Sequence, residues 1–222
     1  MGNRAVITDK KRTIGIYLHW NGGRPCIEAF LEYCKRMNKG CGLDYPSSDY
    51  SFALLVQVIR NTIGDSVGVY PNPNSDIGDN GLYVVKGWDI VKRYITEWED
   101  DKCKEIPFPP EWEENAEGTM NEYLHWIDEK QPEQLRLGGL VDAELVPVEE
   151  LKLGDVVYVQ TVNGMKPFEI IGFGENKTVN GYNRLGQPMI NQCGNGSPDN
   201  PNNYLGNYEK SYYRAVKEKE NE

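Results

Sequence analysis

The stretch Leu18-His19-Trp20-Asn21-Gly22-Gly23-Arg24-Pro25 carries the clearest chemical potential in this sequence. Two glycines let backbone amides approach a ligand, a helix starting at Pro25 directs its positive end at the turn, and the Arg24 guanidinium adds a forked donor. Asn21, Gly22, Gly23 and Arg24 are therefore candidate anion-binding residues, with a nucleotide or small anion as the possible ligand. The spacing is neither a P-loop nor GxGxxG. A tight strand-to-helix turn with a solvated Arg24 accounts for the same residues.

Other reactive side chains are sparse. His19 and His125 are the two histidines, and neither lies in a Ser or Cys nucleophile pattern. A His19 and Cys26 pair across the turn lacks a third, orienting residue, so a small hydrolase is the weakest of the functional classes. Cys26, Cys34, Cys41, Cys103 and Cys193 form no CxxC pair; an odd number without a framework reads as reduced, buried thiols rather than a zinc site. Asp76, Asp79 and Asp89 invite a hard cation, but DIGDNG lacks the alternating ligands and terminal Glu of an EF-hand loop. Asn80-Gly81 is better read as turn chemistry. No metal or cofactor is expected.

Charge is the second signal. The chain has 222 residues, a net charge of -10 and a sequence pI near 4.9. That balance argues against direct nucleic-acid binding, which requires a surplus of Lys and Arg. The excess is concentrated: residues 97 to 150 contain 17 acidic against 4 basic residues, whereas residues 1 to 96 have 9 against 12 and residues 151 to 222 have 8 against 8. Within the acidic segment, Glu97, Glu99, Asp100, Asp101, Glu111, Glu113, Glu114 and Glu117, with Trp98 and Trp112 among them, are the candidate interface. Aromatic residues inside a charged surface suit a basic protein partner, such as a nuclease or another nucleic-acid-binding protein. A solvated acidic face is the plain alternative. So is internal pairing with Arg24 and with Lys10 to Arg12.

The elements that must position these groups follow from periodicity. RAVIT (4 to 8) and TIGIYLHW (13 to 20) predict a strand hairpin across the turn Asp9 to Arg12. From Pro25 a helix buries Ile27, Phe30, Leu31 and Cys34, and a second, from about Asp49 to Ile63, buries Phe52, Leu55, Val56, Ile59 and Ile63. Strands at 67 to 70, 82 to 85 and up to Ile95 complete an α+β domain over residues 1 to 96, an antiparallel sheet with two helices on one face. Residues 97 to 140 read as an acidic connecting region with a helix at 119 to 130, which Thr119 and Glu122 cap in capping-box spacing. Residues 141 to 222 read as a small β-rich domain. Its strands are expected at 156 to 161, 168 to 173 and 178 to 182, its loop at 191 to 207 is expected to be mobile, and the Gly154-Asp155 turn suggests an SH3-like barrel.

GNRAVIT, IYLHWNGG and GDNGLYVVKGWDIV resemble a group of uncharacterised proteins encoded by phages, prophages and other mobile elements of Gram-positive bacteria, over about residues 2 to 95. The resemblance implies a setting and brings no catalytic residues. In that setting the leading expectation is a non-catalytic accessory protein that inhibits a host defence protein, for instance as an anti-CRISPR, through an acidic surface imitating nucleic acid. No run of 18 apolar residues or signal-peptide stretch is present, so the expected location is the bacterial cytoplasm, away from the membrane.

Overall fold

The computed structural model describes residues 3–37, 43, 48–71, 73, 78–99, 102–115, 118–161, 164–173, 188–192 and 212–214. The chain forms two compact units, one through Arg136 and one from Leu137.

The first unit begins with the expected hairpin. Strand β1 (Ala5–Asp9) pairs antiparallel with β2 (Ile14–Leu18), setting Ala5 opposite Leu18 and Ile7 opposite Ile16. The turn between them closes with the Arg12 N–H donating to the Asp9 carbonyl, and Arg12 takes a left-handed φ of 55°. Helix α1 (Arg24–Met37) buries Ile27, Phe30, Leu31 and Cys34. In helix α2 (Ser48–Ile63), Phe52, Leu55 and Ile59 are buried as expected, but Val58 and Thr62 take the interior places assigned to Val56 and Ile63. The helix is turned so that Val56 instead lines a surface groove.

Strands β3 (Val67–Pro71), β4 (Leu82–Lys86), β5 (Asp89–Glu99) and β6 (Lys102–Pro107) complete a six-stranded sheet of order β3-β2-β1-β4-β5-β6. Its neighbours are antiparallel except β1 and β4, which run parallel with Val6 opposite Leu82. The sheet is therefore mixed where an antiparallel one was expected, because β3 lies outside β2 and the chain must cross β2 and β1 to begin β4. Pro73 lies on the side of that crossing: a Cβ on Gly15 would stand 2.5 Å from the Pro73 Cβ and 2.8 Å from a Val6 methyl. There Val6, Leu82 and Val84 form a buried cluster flanked by Tyr17 and Tyr94. The helices lie over the opposite face, where Ile14, Ile16 and Val69 meet α2.

The charge boundary at residue 96 falls inside β5, since a strand that alternates its side chains can change its solvent-facing residues without ending. The expected helix is α3 (Met120–Lys130), with both halves of the Thr119–Glu122 capping box present. It packs on α1 and α2 as a third helix of the layer. Buried polar bonds fix it: the Tyr33 hydroxyl donates to the Asp128 carboxylate at 2.6 Å, and the Gln131 amide donates to the Val58 and Ile127 carbonyls and to Thr62 while accepting from Asn61. Asp128 thus faces inward, while the other acidic residues at 119 to 136, Glu122, Glu129 and Glu133, are exposed.

The second unit is an open sheet of order β10-β9-β8-β11-β7, from β7 (Glu144–Val146), β8 (Val156–Thr161), β9 (Gly164–Phe173), β10 (Pro188–Gln192) and β11 (Tyr212–Arg214). The Gly154-Asp155 turn does feed β8, exchanging backbone bonds with Ile170. Among the described residues β10 and β7 do not pair, so the expected barrel is replaced by an open sheet around Val146, Leu151, Val157, Val159, Phe168, Ile170 and Tyr212. The strand expected at 178 to 182 and most of the loop 191 to 207 lie outside the described residues. Among the described residues no helix is long and apolar enough to cross a membrane.

Replacing Gln131 by Ala strands several buried partners at once and should lower unfolding stability by about 3 kcal/mol in urea titrations. A second expected outcome concerns acid. The Glu122 carboxyl lies below its ordinary value because it accepts from the Thr119 N–H and hydroxyl. Its stabilisation is present above the unfolded carboxyl pKa and fades as pH falls through the depressed folded value. Glu122→Gln should flatten stability against pH on the acid side and leave it unchanged in shape near neutrality.

Candidate functional site

The glycine corner is built from the end of β2 and the start of α1. Asn21 sits in the left-handed region at φ 61°. Gly22 lies directly on β1, where a Cβ would come within 2.6 Å of the Ala5 Cβ and 2.8 Å of the Asn3 carbonyl. Its N–H donates to that carbonyl at 2.8 Å, and its own carbonyl accepts from the Tyr83 hydroxyl at 3.0 Å. Gly23 accepts the first helical bonds, from the Cys26 and Ile27 amides. Arg24 donates to Glu28 at 2.8 Å, one turn further along. The Gly22 amide and the Arg24 guanidinium are thus employed within the protein, and a carboxylate stands over the first turn. The corner splices strand to helix.

Beside it lies an array that the sequence reading did not assemble. Tyr70 stacks on Tyr17 with ring centroids 5.2 Å apart, the Tyr17 hydroxyl bonds His19 Nδ1 at 2.9 Å, and His19 meets Trp20 edge-on at 4.9 Å. Trp20 and Tyr70 are 47% and 40% exposed. The row forms because Tyr17 on β2 and His19 just past its end are two residues apart and project to one side, where Tyr70 of β3 also packs, two residues beyond Gly68, the register partner of Tyr17. The local clue was the i, i+2 spacing of Tyr17 and His19 with Tyr70 two residues beyond Gly68. His19 is not paired with Cys26, which is buried with Cys34 in α1, and burial raises both thiols far above their ordinary pKa.

On the helix side of the same sheet margin, Ile14, Ile16 and Val69 face Phe52, Ala53 and Val56 across an apolar groove of about 500 Å³, with Gln57, Arg60 and Asn61 at its margin. Arg60 is held by Asp65.

The acidic candidates are distributed over several elements. Glu97 is exposed on β5 opposite Lys104, while Trp98 and Glu99 pair in register with Cys103 and Lys102. Glu105 receives both arms of Arg12 at 2.7 Å, and the Arg12 guanidinium lies 4.9 Å from the Tyr94 ring. The bond to Glu105 raises the Arg12 pKa further. That bridge realises the internal pairing of acidic segment and basic turn that charge alone suggested, whereas Arg24 takes Glu28. Glu111 and Trp112 are exposed on the 3-10 helix Pro110–Asn115, which also contains Glu113 and Glu114. Trp112, 52% exposed, meets Phe108 edge-on, and Phe108 carries the Arg93 guanidinium on its ring. Asp100, Asp101, Glu117 and Asp76 lie outside the described residues.

Asp79 is bound by both arms of Arg4, which lowers its pKa, and Asp89 meets Lys35 at 3.5 Å. Among the described residues no three His, Cys, Asp or Glu side chains are grouped to hold a metal ion. No family model, curated protein or solved structure matches the chain.

A double-mutant cycle of Arg12→Ala and Glu105→Ala should give a coupling of about 1 kcal/mol at low salt, declining as salt is added, because the bidentate pair is partly exposed.

Proposed function

We propose that the protein acts by binding, with the row Tyr70, Tyr17, His19 and Trp20 as its contact surface and a basic protein segment as its partner. The observation that carries this reading is a contiguous row of rings in which Tyr70, His19 and Trp20 are exposed and the half-buried Tyr17 joins them, beside a strand that lies at the margin of the sheet. Ring faces attract Lys and Arg, and a chain of net charge -10 attracts cationic partners at longer range. The same net charge disfavours direct stacking on a nucleic acid. The resemblance to mobile-element proteins supports a partner in a bacterial host cell, where an accessory protein that blocks a basic defence nuclease would work in the cytoplasm.

Exposed Trp112 beside Glu111, with Glu97 on β5, supports a second reading in which carboxylates imitate nucleic-acid phosphates on such a nuclease. A nucleotide at Asn21 to Arg24 has less support, since Gly22 and Arg24 have internal partners. Octa-arginine titrated into the protein separates the two binding readings. Loss of about fivefold or more in affinity for Trp20→Ala with Tyr70→Ala supports the ring surface. If those variants bind as wild type while Glu97→Gln with Glu111→Gln weakens binding and flattens its salt dependence, the ring surface is rejected in favour of the carboxylates.

A further inference from the structure

We infer that β3 is a docking edge that adds a strand from the partner, an extended segment with branched aliphatic residues at alternate positions and Arg or Lys between them. This inference rests on the ring surface proposed above and names how its partner is held. Strand β3 is hydrogen-bonded to β2 and, among the described residues, has no strand on its outer side. Exposed sheet edges are ordinarily guarded by charge, proline, bulges or brevity. The opposite edge, β6, has Lys102, Lys104, Glu105 and Pro107 in its sequence, and in the second unit β7 has three residues and β10 begins at Pro188. By contrast β3 reads Val-Gly-Val-Tyr-Pro: Pro71 guards only its end, and Val67 to Tyr70 have neither a charge nor a register shift against β2. Val69 on it is 55% exposed.

The two sides of this edge differ in chemistry. Val69 faces the helix side, where the apolar groove between the strands and α2 opens beside exposed Ile14. Gly68 and Tyr70 face the ring side, where Tyr70 and Tyr17 are stacked. A strand laid along β3 places its i and i+2 side chains over the groove and its i+1 side chain over the rings. Aliphatic groups fit the first surface. Cations fit the second by attraction to the ring faces.

The test uses an acetylated, amidated (Val-Arg)₄ peptide against a Val₄Arg₄ peptide of identical composition, measured by calorimetry, with backbone hydrogen exchange of residues 67 to 71 as a second readout. The alternating peptide should bind about tenfold or more tightly than the block peptide, slow exchange along β3, and lose about tenfold or more in affinity to Val69→Lys, a substitution at an exposed position. Equal binding of both peptides, or binding without slowed exchange, overturns strand addition. Weakening by Trp20→Ala with Tyr70→Ala but not by Val69→Lys retains the ring surface and rejects the docking edge. Concentration-dependent dimerisation of the free protein that Val69→Lys abolishes assigns the edge to a second copy and also overturns the inference.

Discussion

Strand β1 has no solvent-facing side, and that confinement organises the first unit. Ala5, Val6, Ile7 and Thr8 are fully buried between β2 and β4, under the helices on one face and under the side marked by Pro73 on the other. A strand buried on both faces draws on apolar residues, which the run Ala-Val-Ile supplies; its polar end is buried as well, with the Thr8 hydroxyl donating to the Ile14 carbonyl and Asp9 closing the turn through its own carbonyl. With β1 in the centre, β3 and β6 become the margins. Gly22 is then held against β1, and the turn into α1 follows.

Local features of this fold were legible in the sequence. The hairpin could be read from two apolar runs around a charged turn, the inner face of α1 from Ile27, Phe30, Leu31 and Cys34, and the start of α3 from Thr119 and Glu122, because each signal lies within a few residues of its effect. Distant pairings left no such trace. Nothing near Val6 announces Leu82 as its parallel neighbour, and a single glutamine, Gln131, gives no sign that it will fix α3 to α2. Charge was legible as composition but not as surface. Glu105 is spent on Arg12 and Asp128 on Tyr33, so the segment's net charge exceeds what any one face displays.

The candidate site shows the same division. Asn21 to Arg24 attracted attention because glycines and a cation were contiguous, yet that contiguity serves a splice. The rings came together from two neighbouring strands and the residues that follow β2, and the groove came from a helix and two strands. A binding surface on a sheet margin is assembled across strands. Single-residue motifs are poorly suited to report it.

The parallel pairing of β1 with β4 also governs how the chain reaches this state. Both helices and β3 separate Val6 from Leu82, so the central strand gains its second neighbour only after a long loop has closed. During synthesis, which proceeds from the N-terminus, the β1–β2 hairpin emerges well before β4 and offers the apolar side of β1 to any strand at hand. Contacts of such sequence separation slow folding and prolong the exposure of unpaired edges. The buried centre of the finished protein is thus the most vulnerable surface of the nascent one.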